Sequence, residues 1–277
     1  MIRFFCLILL LLPTAASADA PMRIVSIGGA LTETIYAIGA GDRIVGSDTT
    51  SYYPEAAAAL PKVGYQRALS AEGILSLGPE LIIMSDESGP PAVLEQLKKA
   101  GVNMLTLTAG RSLEDVKTTI ETISKTLEKE SEGASLIAQI TGMQDRLREV
   151  SDRQTDPPHV MFILQHSGGA PMVAGKNTAA DSIIRLAGGI NAVADYEGYK
   201  PLSPESAASL APDVLLLTTQ GLAQAGGEAS LLSVPGLSLT PAAGNGRIIA
   251  MDALLLLGFG PRTAEAALEL NKQLYNP

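Results

Sequence analysis

Apolar residues along this chain fall into two kinds of run. Six are short and nearly continuous: RIVSI at 23–27, ELIIMS at 80–85, VNMLTL at 102–107, HVMFIL at 159–164, DVLLLTT at 213–219 and RIIAMD at 247–252. Such lengths, rich in branched side chains, predict strands buried on both faces. Segments of helical period separate them. That alternation predicts an α/β protein whose sheets are mainly parallel and flanked by helices.

Three of the runs precede residue 112 and three follow residue 150. Between them the apolar positions are Val116, Ile120, Ile123 and Leu127, then Leu136, Ile140, Met143, Leu147 and Val150. Steps of three and four place them on one helical stripe. Ser112 with Asp115 offers a capping pair, and an unbroken helix over 112–150 would run about 58 Å. That length suits a link lying along two small lobes. Gly133 or Gly142 would be the place for a kink, and two shorter helices are the alternative.

The two groups of runs also resemble each other. LSAEGILSLGPELIIMS from Leu69 aligns with LSPESAASLAPDVLLLT from Leu202, setting Ser70 on Ser203, Glu72 on Glu205, Ser76 on Ser209 and Pro79 on Pro212. Upstream, GYQRALS faces GYKPLS, one residue shorter, which places Tyr199 opposite Tyr65. IYAIGAG from Ile35 matches IIRLAGG from Ile183 more weakly. Helix-start grammar explains part of this, since Ser-x-Glu is a common cap. Duplication explains the whole. Two similar lobes with the carboxyl ends of their strands facing each other describe a cleft, and ligands in open parallel sheets lie at those ends.

The amino terminus sets the compartment. Arg3 precedes the apolar run FFCLILLLLP, and Ala16-Ser17-Ala18 supplies the small residues of a cleavage site. This is the pattern of a secretory signal, too short for a membrane span. Cys6, the one cysteine, lies inside that run, so cleavage after Ala18 leaves 259 residues without thiol or disulfide. Loss of Arg3 leaves 19 basic against 29 acidic residues, a net charge of −10. With no basic run, nucleic acid and anionic membranes are poor partners, and no later apolar run is long enough to insert in a membrane. The expected divisions are a signal at 1–18, an N-terminal lobe at 19–111, a linking helix at 112–150 and a C-terminal lobe at 151–277.

The chain carries few of the motifs of catalytic chemistry. No G-x-S-x-G elbow, phosphate loop or dinucleotide fingerprint is present, and GAGDRIVG has the wrong spacing. The two histidines, His159 and His166, sit seven residues apart on a predicted strand, about 23 Å at 3.3 Å per residue. They cannot share a metal, which rules out a zinc site built on both. His166 falls at the carboxyl end of its strand, before Ser167-Gly168-Gly169; on these residues alone it is either a cap on a glycine turn or a cleft ligand. A hydrolase using Ser167 beside His166 is disfavoured, because adjacent residues do not easily form the required hydrogen bond and no acidic orienter is indicated.

VGYQRALSAEG at 63–73 puts a phenol and a guanidinium two positions apart in a loop. Taken alone, Tyr65 either packs there or binds something, and Arg67 either serves a carboxylate or supports that phenol. Together with RIVSIGGALTETIYAIGAGDRIVGSDTTSYYPEAAAALPKVGYQRALSAEGILSLGPELII, GGAPMVAGKNTAADSIIRLAGGINA, GYKPLSPE and GFGPRTAEA, this loop makes the chain resemble the periplasmic haem-binding proteins of bacterial haem-uptake ABC transporters. The resemblance spans nearly all of the chain after the signal. It implies two lobes joined by one long linking helix, a ferric haem cargo in the interlobe cleft and no enzymatic activity. It also implies a periplasmic location and delivery to an inner-membrane ABC permease dimer by a carrier expected to be monomeric. The same superfamily carries ferric siderophores and cobalamin, which is the alternative cargo.

By that resemblance Tyr65 is the axial iron ligand and Arg67 its support. Ferric iron is a hard acid and a phenolate a hard anionic ligand. Holding a phenol of pKa about 10 ionised near pH 7 costs on the order of 4 kcal/mol, which the iron bond and a neighbouring cation must offset. His166 is implied as a second ligand, to the same haem or a stacked one, and Tyr199 as a cleft residue on the second lobe. Tyr52, Tyr53 and Tyr196 are further stacking candidates, and Lys176, Lys200 and Arg262 further partners for propionates. Glu72 and Glu205 each follow a capping serine, where a helix dipole favours a carboxylate. The resemblance adds a second role, docking to arginines on the two permease subunits.

Overall fold

The computed structural model describes residues 21–164 and 171–276. The signal at 1–18, together with His166 and Ser167, lies outside the described residues. The first sheet contains β1 (Ile24–Ile27), β2 (Ile44–Ser47), β5 (Leu81–Ser85) and β6 (Asn103–Leu107), in the order β2-β1-β5-β6 and parallel throughout. A two-stranded hairpin, β3 (Gly64–Tyr65) and β4 (Ala68–Leu69), stands beside it.

The second sheet is built on β7 (His159–Leu164), β8 (Met172–Ala174), β9 (Ile190–Asn191), β10 (Tyr199–Pro201), β11 (Val214–Thr218) and β12 (Ile248–Met251). Its order is β10-β8-β7-β11-β12, with β9 on β7. Strands β7, β11 and β12 run parallel; β8 is antiparallel to both β7 and β10. All six predicted runs form strands. The trio β1-β5-β6 of the first sheet is matched by β7-β11-β12 in the second. The repeat also holds at residue level, for β5 at 81–85 and β11 at 214–218 stand 133 positions apart, the same offset as Leu69 and Leu202.

Two helices, Leu113–Thr126 and Glu130–Ser151, occupy the stretch where the apolar stripe predicts one over 112–150. The break is neither at Gly133 nor at Gly142. It falls at 127–129, where Glu128 adopts φ 55° and the Arg43 guanidinium donates to the Leu127 carbonyl at 2.9 Å, closing the first helix from outside. The chain then reverses and the two helices pack on each other. A Cβ at Gly133 would collide with the Ser124 hydroxyl, so glycine is what permits the close crossing. Both helices bury Val116, Ile120, Ile123, Ile140 and Leu147 in one core, which accounts for a stripe that resumes after the turn. At 22 residues, the second helix is the long one, about 33 Å, and it packs on the C-terminal helix Thr263–Tyr275.

The main core contains side chains from both sheets, including Ile24 and Ile83 of the first and Val160, Phe162 and Leu216 of the second. Smaller clusters fill the outer layer of each lobe. No described helix is long and apolar enough to cross a membrane.

Candidate functional site

The hairpin β3–β4 carries Tyr65 and Arg67 and depends on Gly64. That residue has φ 108°, and a Cβ on it would lie 2.7 Å from the Ala68 carbonyl, so only glycine fits without strain. The hairpin is stitched to its surroundings by the Thr49 N–H donating to the Gly64 carbonyl at 2.9 Å, Gly89 N–H to Gln66 carbonyl at 2.9 Å and Leu69 N–H to Gly89 carbonyl at 3.0 Å. It therefore has a fixed place between the loops that leave β2 and β5.

Tyr65 is 43 % exposed. The Arg67 guanidinium donates to the Tyr65 hydroxyl oxygen at 2.7 Å through one nitrogen and pairs with Glu87 through another. The second Glu87 oxygen receives Arg111 at 2.6 Å. Burial acts to lower the Arg67 value, but the Tyr65 hydroxyl and the Glu87 carboxylate outweigh it and leave the guanidinium raised, hence charged. Tyr199, on β10 of the other lobe, lies within reach of the same charges. Burial pushes its phenol up, Glu87 adds to that, and Arg111, Arg67 and a bond with Thr178 oppose it. Two phenols thus flank one charged cluster, one from each lobe.

Tyr65 and Arg67 are joined directly by the 2.7 Å bond, and Tyr199 feels the charges of the same cluster. Glu87 and Arg111 are not apparent from motifs. Their positions give a signal all the same, since they follow the carboxyl ends of the parallel strands β5 and β6, where ligands of such sheets lie.

The remaining candidates have structural duties. Tyr52 accepts from the Leu254 N–H at 2.8 Å and donates to Asp252 at 3.0 Å, linking the lobes. The Arg262 guanidinium, suggested for propionates, is committed to Glu33 by two bonds of 2.8 Å and lies 3.6 Å over the Tyr53 ring. Lys200 lies 4.4 Å over the Tyr196 ring. Lys176 pairs through its backbone with the 196–198 segment.

Glu72 and Glu205 occupy the first turns of the helices Ala71–Ser76 and Pro204–Leu210. Ser70 accepts from the Gly73 N–H at 3.0 Å and Ser203 from the Ser206 N–H at 3.1 Å, the same cap on each lobe. Both carboxylates are exposed, and neither takes part in an ion pair among the described residues. No group of three or more His, Cys, Asp or Glu among the described residues is arranged to hold a metal ion.

Two lobes and a cleft lined at strand ends are the architecture of a solute receptor, and a description of the periplasmic binding proteins matches residues 24–255. The chain belongs to the periplasmic binding protein family. Among solved periplasmic binding proteins it is similar to the periplasmic heme-binding protein RhuT from Roseiflexus sp. RS-1 in apo form. The identity is 44 %, the TM-score 0.89, and the match covers 92 % of this chain and 98 % of that one. The periplasmic heme-binding protein BhuT in complex with two hemes is 45 % identical, with a TM-score of 0.87 and coverage of 91 % and 97 %. A curated relative, the vitamin B12-binding protein of Vibrio parahaemolyticus, is 27 % identical over 98 % of this chain and 96 % of its own length.

Proposed function

We propose that this binding protein carries ferric haem through the periplasm, binding it in the interlobe cleft and delivering it to an inner-membrane ABC permease. The 2.7 Å bond from Arg67 to the Tyr65 hydroxyl oxygen carries this reading. The bond fixes the phenol oxygen at the mouth of the hairpin with a positive charge beside it, and a phenol oxygen is the class of hard donor that ferric iron takes. Tyr65 from one lobe and Tyr199 from the other are the residues that would hold a flat ligand there. The likeness to heme-binding proteins at 44–45 % identity, against 27 % for a B12-binding one, supports haem over cobalamin as cargo.

Binding here is reversible ligation without bond-making in the cargo. His166 is proposed as a second ligand from the other lobe. Glu72 and Glu205, equivalent and without an ion pair among the described residues, are proposed as the two points that meet the permease subunits. The carrier acts as a monomer, exported by the segment at 1–18.

An absorbance titration of the signal-free protein with ferric hemin, run beside Tyr65→Ala, tests the reading. The expected result is a saturable spectrum of the ferric phenolate type, lost in the variant, with an endpoint that counts the haems; the same titration of His166→Ala reads its part. No saturable change with hemin, together with saturable binding of cobalamin, would transfer the cargo to the alternative.

A further inference from the structure

Four side chains form a line along the first lobe's face of the cleft: the Tyr65 hydroxyl, the Arg67 guanidinium, the Glu87 carboxylate and the Arg111 guanidinium. They come from three separate loops. Tyr65 and Arg67 sit on the β3–β4 hairpin, Glu87 two residues past β5, and Arg111 four past β6. Glu87 is the only member held at both oxygens. Its own backbone is fixed as well, its N–H donating to the Ser85 hydroxyl at 3.1 Å. Arg111 is anchored at the far end, donating to the Gly110 carbonyl at 2.9 Å, while its N–H donates to Asp115 at 2.9 Å. The neighbouring Asp86 carboxylate is turned to the Ala109 N–H and does not compete for either guanidinium.

Among the described residues Arg67 has no comparable backbone anchor. Its side chain is 50 % exposed, on a hairpin of two-residue strands. A long flexible side chain in that setting samples many rotamers, and two guanidiniums in one cleft repel each other. A carboxylate between them removes both problems. We infer that Glu87 is a positioning residue of the cleft, a carboxylate shared by Arg111 and Arg67 that holds the Arg67 guanidinium against the Tyr65 oxygen. The inference rests on the haem reading only for its effect on cargo.

Its geometry can be tested without cargo. In the unloaded protein, the side-chain N–H resonance of Arg67 in nitrogen-labelled NMR should be sharp and protected, and should broaden or exchange rapidly in Glu87→Ala.

With hemin bound, transfer of haem to excess apomyoglobin measures release from the wild type, Arg67→Ala, Glu87→Ala and the double variant. Release from Glu87→Ala should be faster on the order of tenfold, a size ordinary for groups in one ion-pair network. The double variant should be no faster than Arg67→Ala alone, and the phenolate charge-transfer band should shift in the same direction in Glu87→Ala and in Arg67→Ala. Arg111→Ala, which frees one Glu87 oxygen, should move release in the same direction by less.

If Glu87 acted only as a negative charge near the phenolate, its removal would slow release. Slower release, additive effects in the double variant, or an Arg67 resonance indifferent to Glu87 would each overturn the inference. Failure of the wild type to bind hemin would instead strike the cargo reading and leave the NMR comparison to decide the positioning role.

Discussion

The Glu33 carboxylate and the Arg262 guanidinium, 229 positions apart in sequence, meet in a two-point ion pair with both contacts at 2.8 Å. Glu33 lies on the first helix of the N-terminal lobe and Arg262 directly before the last helix of the other. The pair is largely withdrawn from water, at 6 % and 22 % side-chain exposure. Tyr53 covers the guanidinium from one face. On the same seam, a Cβ at Gly29 would lie 2.7 Å from the Leu254 side chain, so the lobes meet here with no space between them.

Breaking that pair on one side leaves a buried charge without a partner, which costs about 3–5 kcal/mol. Arg262→Ala should lower the urea midpoint accordingly, and removal of both charges by Glu33→Leu with Arg262→Met should be much milder. Equal losses in the single and double variants would show that the two groups do not act as a pair.

Tyr52 has its phenol pushed up to about 12, first by burial and then by Asp252, with the Leu254 N–H opposing. A folded value above the unfolded value of about 10 means stability present in full below pH 10 and lost as the pH rises toward 12. Tyr52→Phe, which cannot ionise, should flatten this alkaline decline while lowering stability at neutral pH. Identical alkaline denaturation curves for the two proteins would contradict it.

Asp115 shows the opposite sign. The Arg111 N–H holds its carboxyl below the usual value, helped by Ser112 and opposed by burial. Its contribution is present above about pH 4 and fades as the pH falls through the depressed value. The stability difference between wild type and Asp115→Asn should therefore be constant at neutral pH and close below pH 4, as followed by acid unfolding monitored by circular dichroism. In the same cap, Ser112→Ala should cost about 1 kcal/mol.

Reversing Glu72 and Glu205 to arginine leaves the cleft cluster untouched. Hemin titration should give an unchanged endpoint, while haem uptake reconstituted with the permease should be abolished. Normal uptake would remove the docking role from these residues and leave them as favourable first-turn carboxylates.

The strands and the duplication were legible because both depend on patterns local in the chain: unbroken apolar runs, and Ser-x-Glu followed by a Pro and a strand. The break in the linking segment was also written there. From Leu127 to Leu136 no large apolar residue occurs, a gap of more than two helical turns that an uninterrupted buried stripe would not leave. At the site, the Tyr65–Arg67 pair was legible because its members are two residues apart. Glu87 and Arg111 were not, since their role arises from three loops converging in space; nor was the engagement of Arg262, whose partner lies in the other lobe. Strands β8 and β10 escaped notice because three residues carry no period.

The main core gathers Ile24 of the first sheet, Ile140 of the connecting helix and Leu216 of the second sheet into one contiguous body. Neither half can lose its inner layer without exposing apolar surface of the other, so the molecule should melt as a single cooperative unit, with one calorimetric transition and no half-folded species. A receptor assembled this way should resist proteases while empty as well as when loaded, because neither lobe can open on its own ahead of the other.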